Sequence, residues 1–354
     1  MIWQHALESL PHDIYHLPGY SRLCARSDEL PQAFVASSGP YRMLVPFLKR
    51  SLPPELANGG SSSDATSPYG YSGPVWSTGA PNGFVDDSLN LLSETLKDSG
   101  VVAAYFRLHP LLNFPHILAK FGKVARTGTT VVIDLSLSDH DLWQRTRDGH
   151  RREIKASERQ GYVASIDDKW ESLDDFVRCY RQTMNRVQAK AYYHFPKQYF
   201  LDFRACLSTY AKLCVVRSKG VVVCAGIFTE IHGLGQNHLV GVADDHVRAN
   251  PSKLMLHFQR AWLKARGNRF FHLGGGVGSQ EDSLFQYKYG FSRTSLPYFT
   301  WHVICDVDRY DALVRKRRSL NNEQLEQHGV YFPEYRNAID EKNDSQDGRQ
   351  ATFG

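Results

Sequence analysis

The chain has 354 residues, 42% of them hydrophobic and 22% charged, with a net charge of +5 and a pI near 8.8. This composition excludes a disordered chain, and the length suits about two domains of roughly 150 residues each, with a core that needs no disulfide staples. The mildly basic balance admits a phosphate-bearing or RNA partner without requiring one.

Six cysteines, at positions 24, 179, 206, 214, 224 and 305, form no CxxC pair and no His/Cys cluster of zinc spacing. Cys206, Cys214 and Cys224 stand in apolar company and read as buried free thiols. The opening residues, "MIWQHALESLPHD", lack a basic n-region and an apolar h-region, and no run of 18 apolar residues occurs. A cytoplasmic protein without a transmembrane segment is expected.

Residues 1–20 read as a short helix and a turn. The stretch 33–53, "QAFVASSGPYRMLVPFLKRSL", reads as two strands joined by Ser-Ser-Gly-Pro. A long polar loop, 57–75, ends in "SPYGYSGPV". There Gly70 and Gly73 permit positive φ and Pro68 and Pro74 stiffen the ends, so Tyr69 and Tyr71 either line a binding wall or pack within a turn. Residues 85–100 have apolar spacing near 3.6 and read as a helix; 101–112 and 129–137 read as strands.

The stretch 138–162, "SDHDLWQRTRDGHRREIKASERQGY", reads as one helix capped by Ser138 and Asp141 and stopped by Gly161. It carries Arg145, Arg147, Arg151, Arg152, Lys155 and Arg159. A second helix covers 172–187. Three antiparallel strands follow from 209, with a tight turn at Lys219-Gly220. Then come a strong helix over 250–267, a strand at "RFFHLGG", a short helix or turn at "SLFQYKYGF", a strand over 298–307 and a basic helix, "RYDALVRKRRSL". From about 336 the chain is polar and charged, as a disordered tail would be.

The order in the second half (helix, helix, three antiparallel strands, helix, strand, helix, strand) resembles the GNAT acyltransferase fold, and the first half resembles a degraded second copy. Four stretches carry a closer likeness: "SPYGYSGP", "RREIKASERQGY", "YRQTMNRVQAKAYYHFPKQYF" and "HLGGGVGSQEDSLFQYKYGFS". With these the chain resembles the double-GNAT FemABX family over roughly residues 30–305. Tyr287-Lys288 stands where that family has Phe-Lys, and Ser292 where it has Gly. The resemblance implies a mixed α/β fold of two GNAT-like acyltransferase domains in tandem with a cleft between them. The first would be 1–137, completed by about 306–335, and the second 138–305, with the tail at 336–354. It also implies transfer of an aminoacyl group from aminoacyl-tRNA to an amine, as in peptidoglycan cross-bridge or peptide natural-product assembly. The acceptor would be nucleotide- or lipid-linked, with no cofactor, no metal and no DNA partner. Two alternatives are an acyl-CoA-dependent N-acyltransferase and a non-catalytic binding protein on the same scaffold.

Making an amide from an activated ester requires an aligned amine, loss of its proton and a stabilised oxyanion. Lys288, in an aromatic stretch, is the leading candidate for the oxyanion or for a donor phosphate; the alternative is a surface lysine whose stem covers aromatic rings. Arg151 and Lys155 share a helix face with Arg152 beside them. They either bind phosphate or form a solvated basic face. Arg186 either reaches an anion or complements a helix C-terminus. Tyr192 and Tyr193 either line the acceptor groove or pack in the core, and Tyr287 flanks Lys288. His238 and Asp244, with Asp245 next to it, are candidate bases, His238 having a structural alternative. Acyl-CoA enzymes of this superfamily carry a glycine-rich loop before the long helix. Here the stretch is "VRANPSKLM", in which Pro251 removes an amide donor.

Overall fold

The computed structural model describes residues 2–57, 62–320 and 331–337. Its described residues divide into two compact units: those up to 127 with 298–320 and 331–337, and residues 128–297.

The first unit begins with helices α1 (Ile2–Leu7) and α2 (Pro18–Cys24), then strands β1 (Glu29–Ser38) and β2 (Tyr41–Ser51). The predicted hairpin forms, with pairing from Glu29↔Arg50 to Ser38↔Tyr41. The loop expected over 57–75 instead contains β3 (Ser63–Thr66) and β4 (Val75–Trp76); positions 58–61 lie outside the described residues. β3 reads Ser-Asp-Ala-Thr, yet all four residues are buried. Its polar sequence conceals a strand because Asp64 is paired by Arg50 at 2.5 Å and by Arg336. Helix α3 (Asn82–Asp98) buries Val85, Leu89, Leu92 and Leu96, as its period predicts. β5 (Val101–Arg107) and α4 (Pro115–Leu118) follow, and β6 (Lys123–Asp134) starts in the first unit and ends in the second.

The second unit runs α5 (Asp139–Arg145), α6 (Asp148–Arg159), β7 (Val163–Ile166), α7 (Leu173–Arg186), α8 (Lys197–Leu207), β8 (Ala211–Ser218), β9 (Val221–Ile231), β10 (Leu234–Val242), α9 (Pro251–Ala265), β11 (Phe270–Gly274) and α10 (Ser283–Tyr289). The single helix expected over 138–162 is therefore two. Ser138 caps α5 as predicted, but the Arg147 amide donates to Gly290 O at 2.7 Å instead of continuing the helix. Thr146 at the break is extended; its hydroxyl donates to Leu142 O at 2.8 Å and accepts from Arg260 at 2.9 Å. The chain re-enters the first unit in β12 (Ser295–Ile304), followed by α11 (Val307–Leu320).

Strand order in the first unit is β1-β2-β3-β5-β12, with β4 beside β2, and in the second β6-β11-β10-β9-β8-β7. Each set contains one parallel pair, β3–β5 and β10–β11. The β10–β11 pairing covers only Leu234–Gln236 against Phe270–His272, and β10 bulges between Asn237 and Leu239.

β5 is buried on both faces. Phe106 packs with Leu89, Leu92 and Trp301, and Tyr105 with Tyr310, Phe332 and Tyr335. The core of the second unit centres on Ile133, Phe228, Met255, Leu263, Phe271 and Phe291. Cys179, Cys214, Cys224 and Cys305 are buried, whereas Cys206, expected inside, is only partly so. Arg336, the first residue of the expected tail, is tied to Asp64; positions 338–354 lie outside the described residues. No helix among the described residues is long and apolar enough to cross a membrane.

Candidate active site

α10 starts at Asp282, a good N-cap type. Its Oδ1 accepts the Phe285 amide at 2.9 Å and its Oδ2 the Val277 amide at 3.0 Å. One carboxylate thus ties the helix start to the glycine-rich turn before it. Two turns of helix later, Lys288 is 4% exposed, and its Nζ donates to Gly275 O at 2.7 Å. The alternative of a surface lysine is overturned. Burial depresses its pKa from 10.5 to about 7, against the opposing pull of Asp282. At neutral pH the buried amine therefore populates both protonation states.

The turn itself is built for close approach. A Cβ on Gly275 would sit 2.7 Å from Thr129 O, and one on Gly276 would overlap Gln280 O and Asp282 Oδ1. Gly276→Ala must displace backbone and cap together, which costs roughly 1–3 kcal/mol. Urea denaturation checks this, a midpoint equal to that of the unsubstituted protein being the contrary result.

α6 is braced against α10. The His150 Nε2–H donates to Tyr287 O at 2.8 Å, and a Cβ on Gly290 would come within 2.5 Å of that nitrogen. Burial lowers the His150 pKa, which suits a neutral ring. From α9, Lys253 is 8% exposed. It pairs with Glu153 of α6 at 2.6 Å and lies 6.0 Å from the centre of the Tyr287 ring. The Tyr287 hydroxyl is buried, and burial raises its pKa. Sequence reading missed His150, Glu153 and Lys253, because their roles appear only when three helices meet. Asp282 was findable, since Asp-Ser before an apolar stretch is an N-cap signal.

The basic face of α6 lines a groove of about 440 Å³ with Trp143, Gln144, Asp148, Arg151, Arg152 and Lys155. Arg151 is spent on Trp143 O, Gln144 Oε1 and Asp148. Lys155 lies 5.6 Å from the centre of the Trp143 ring, and Arg152 is exposed. Among the described residues neither has a carboxylate partner, so capacity for a phosphate rests with these two.

The other predicted residues fall into separate local settings. Arg186 pairs with Asp244 and donates to Thr183 Oγ1 at 3.1 Å, so each predicted residue answers the other's charge. His238 sits at the β10 bulge, its ring stacked with its centre 4.7 Å from that of Phe203. Tyr193 closes a short 3-10 turn, and its carbonyl accepts the Tyr180 hydroxyl at 2.8 Å. Tyr69 is half-buried. Tyr71 is 8% exposed and packs edge-on against Tyr15, His109 and Tyr298, so its ring is enclosed rather than displayed.

Around the start of α9 three amides are engaged. Those of His246, Asn250 and Lys253 donate to the carbonyls of Ala243, Val247 and Asn250, and Pro251 contributes none. Among the described residues no three His, Cys, Asp or Glu side chains form a group that would hold a metal ion.

No protein-family model matches the chain, and no curated protein matches it. Solved structures do. FemX superposes with a TM-score of 0.69 at 10% identity, over 88% of this chain and 97% of that one. L-PGS from Bacillus licheniformis superposes with a TM-score of 0.54 at 15% identity, over 85% and 90%. In both, nearly the whole of the other chain is matched, so the likeness extends beyond either unit alone. The chain carries a mixed α/β fold like that of FemX and L-PGS.

Proposed function

We propose that this chain is an acyltransferase that makes an amide, moving an aminoacyl group from aminoacyl-tRNA to an amine, with Lys288 at the reacting ester. The observation that carries this reading is the burial of Lys288 against Gly275 O in a turn whose glycines admit no side chain. On a FemX-like fold, a desolvated cation beside a glycine-rich turn suits a carbonyl that becomes an oxyanion.

The acceptor amine attacks the ester carbonyl, and charge develops on its oxygen. The Lys288 ammonium stabilises that oxygen. The C–O bond to the ribose then breaks, and the proton lost by the amine ends on the departing hydroxyl. Arg152 and Lys155 take backbone phosphate of the donor, and Trp143 offers a ring for stacking. The engaged amides before α9 favour this donor over acyl-CoA, whose pyrophosphate needs free N–H groups.

The test supplies purified protein with radiolabelled aminoacyl-tRNA or with acetyl-CoA, each with a panel of amines. Aminoacyl-tRNA should be consumed and yield a product stable to mild alkali, which cleaves the ester but not the amide. Release of free CoA thiol would overturn the choice of donor. Consumption of neither donor would overturn the reading as an enzyme.

A further inference from the structure

We propose that Arg107 is the cation of an oxyanion-binding site in the first unit, taking a carboxylate or phosphate group of a small ligand. The inference is independent of the reading given to Lys288. Arg107 is 5% exposed, and among the described residues neither terminal nitrogen of its guanidinium has a hydrogen-bond partner. A guanidinium stays charged at every accessible pH, and a buried charge without a counter-ion is costly. The buried acids of this unit that could answer it are committed: Asp13 to His109 at 3.1 Å, and Asp64 to Arg50 and Arg336.

The surroundings of Arg107 are aromatic and polar. Arg107 ends β5 and lies over the Tyr105 ring, 5.3 Å from its centre. Across the ladder it faces Thr300 of β12, with Tyr105 opposite His302 on the same face. Tyr71 and Tyr298 meet edge-on with ring centres 5.3 Å apart, and the Arg107 charge acts on both phenols. β5 and β3 form the parallel pair of this unit, and β3 runs directly into "SPYGYSGPV". The carboxyl ends of parallel strands are where ligands settle in such folds. The planar fork of a guanidinium matches two oxygens of a carboxylate or phosphate.

The test follows the melting temperature of the full chain against added phosphate or acetate, with ionic strength held constant by sodium chloride. One of the two anions should raise it saturably by several degrees, and which one identifies the group recognised. Arg107→Gln should abolish that rise. No saturable response in the unsubstituted protein, or an undiminished response in Arg107→Gln, would overturn the proposal. Where the variant does not fold, the Arg107 Nε–H resonance of labelled unsubstituted protein reads the same contact. A saturable shift of that resonance supports the site, and an unmoved one refutes it.

Discussion

Replacing Lys288 by methionine lowers amide-forming turnover by about 10²–10³-fold, the usual cost of deleting an oxyanion donor, and at the same time makes the protein more stable. The two effects have one cause. Burial holds the pKa near 7 instead of 10.5, and each tenfold change in acidity is worth about 1.4 kcal/mol. In the unfolded chain the amine is protonated up to about pH 10, whereas in the folded chain it sheds its proton above 7. Stability therefore rises with pH between those values, and the penalty for charging Lys288 is fully present below pH 7. It amounts to roughly 4–5 kcal/mol, from which the lost hydrogen bond to Gly275 O subtracts about 1 kcal/mol. Lys288→Met should thus gain about 3 kcal/mol at pH 6 and progressively less toward pH 10. Urea midpoints at those two pH values read this directly. In the same reading, kcat/KM of the unsubstituted enzyme falls on the alkaline side with a midpoint near 7, as the free enzyme loses the ammonium. Lys288→Arg, which keeps its charge, should lack that limb. A methionine variant with full turnover would remove Lys288 from the mechanism.

Asp64→Asn should cost about 3–5 kcal/mol, because it leaves buried arginine charge without an answer. Asp64 is fully buried, and its two oxygens meet Arg50 and Arg336, with the Tyr335 hydroxyl at 3.4 Å. Asn keeps the shape and loses the charge, so the effect measured is electrostatic. The control is Asp86→Asn, which breaks the exposed pair with Lys120 at 3.3 Å. That change should cost under about 1 kcal/mol. Thermal melts of the two variants side by side decide the matter, and equal losses would show that the Asp64 cluster is no stronger than a surface pair.

Local pattern carried the sequence reading wherever one element decided its own form. The apolar period of α3 and the β1–β2 hairpin were legible because propensity and burial agree there, and the stretch around Lys288, read as a short helix or turn, is a helix. β3 was not, since a buried Ser-Asp-Ala-Thr strand makes sense only once arginines 14 and 272 residues away supply the counter-charge. The break between α5 and α6 was hidden for the same reason: its cause, Gly290 O, lies 143 positions downstream of Arg147. Of the candidate site, Lys288 was found through its aromatic company and a family likeness. Its depressed pKa depends on burial that no spacing reveals. Arg107 lay unremarked inside the strand read over 101–112, because an absent partner leaves no mark in a sequence.

The clamp on Asp64 bears on the order in which the protein is made. Its second arginine leaves the ribosome only after all of residues 128–297 have been synthesised. The inserted unit can complete its fold while the enclosing one still waits for its closing segment. Until Arg336 emerges, one oxygen of the Asp64 carboxylate in β3 lacks its arginine, so the first unit is closed by a segment made after the inserted one.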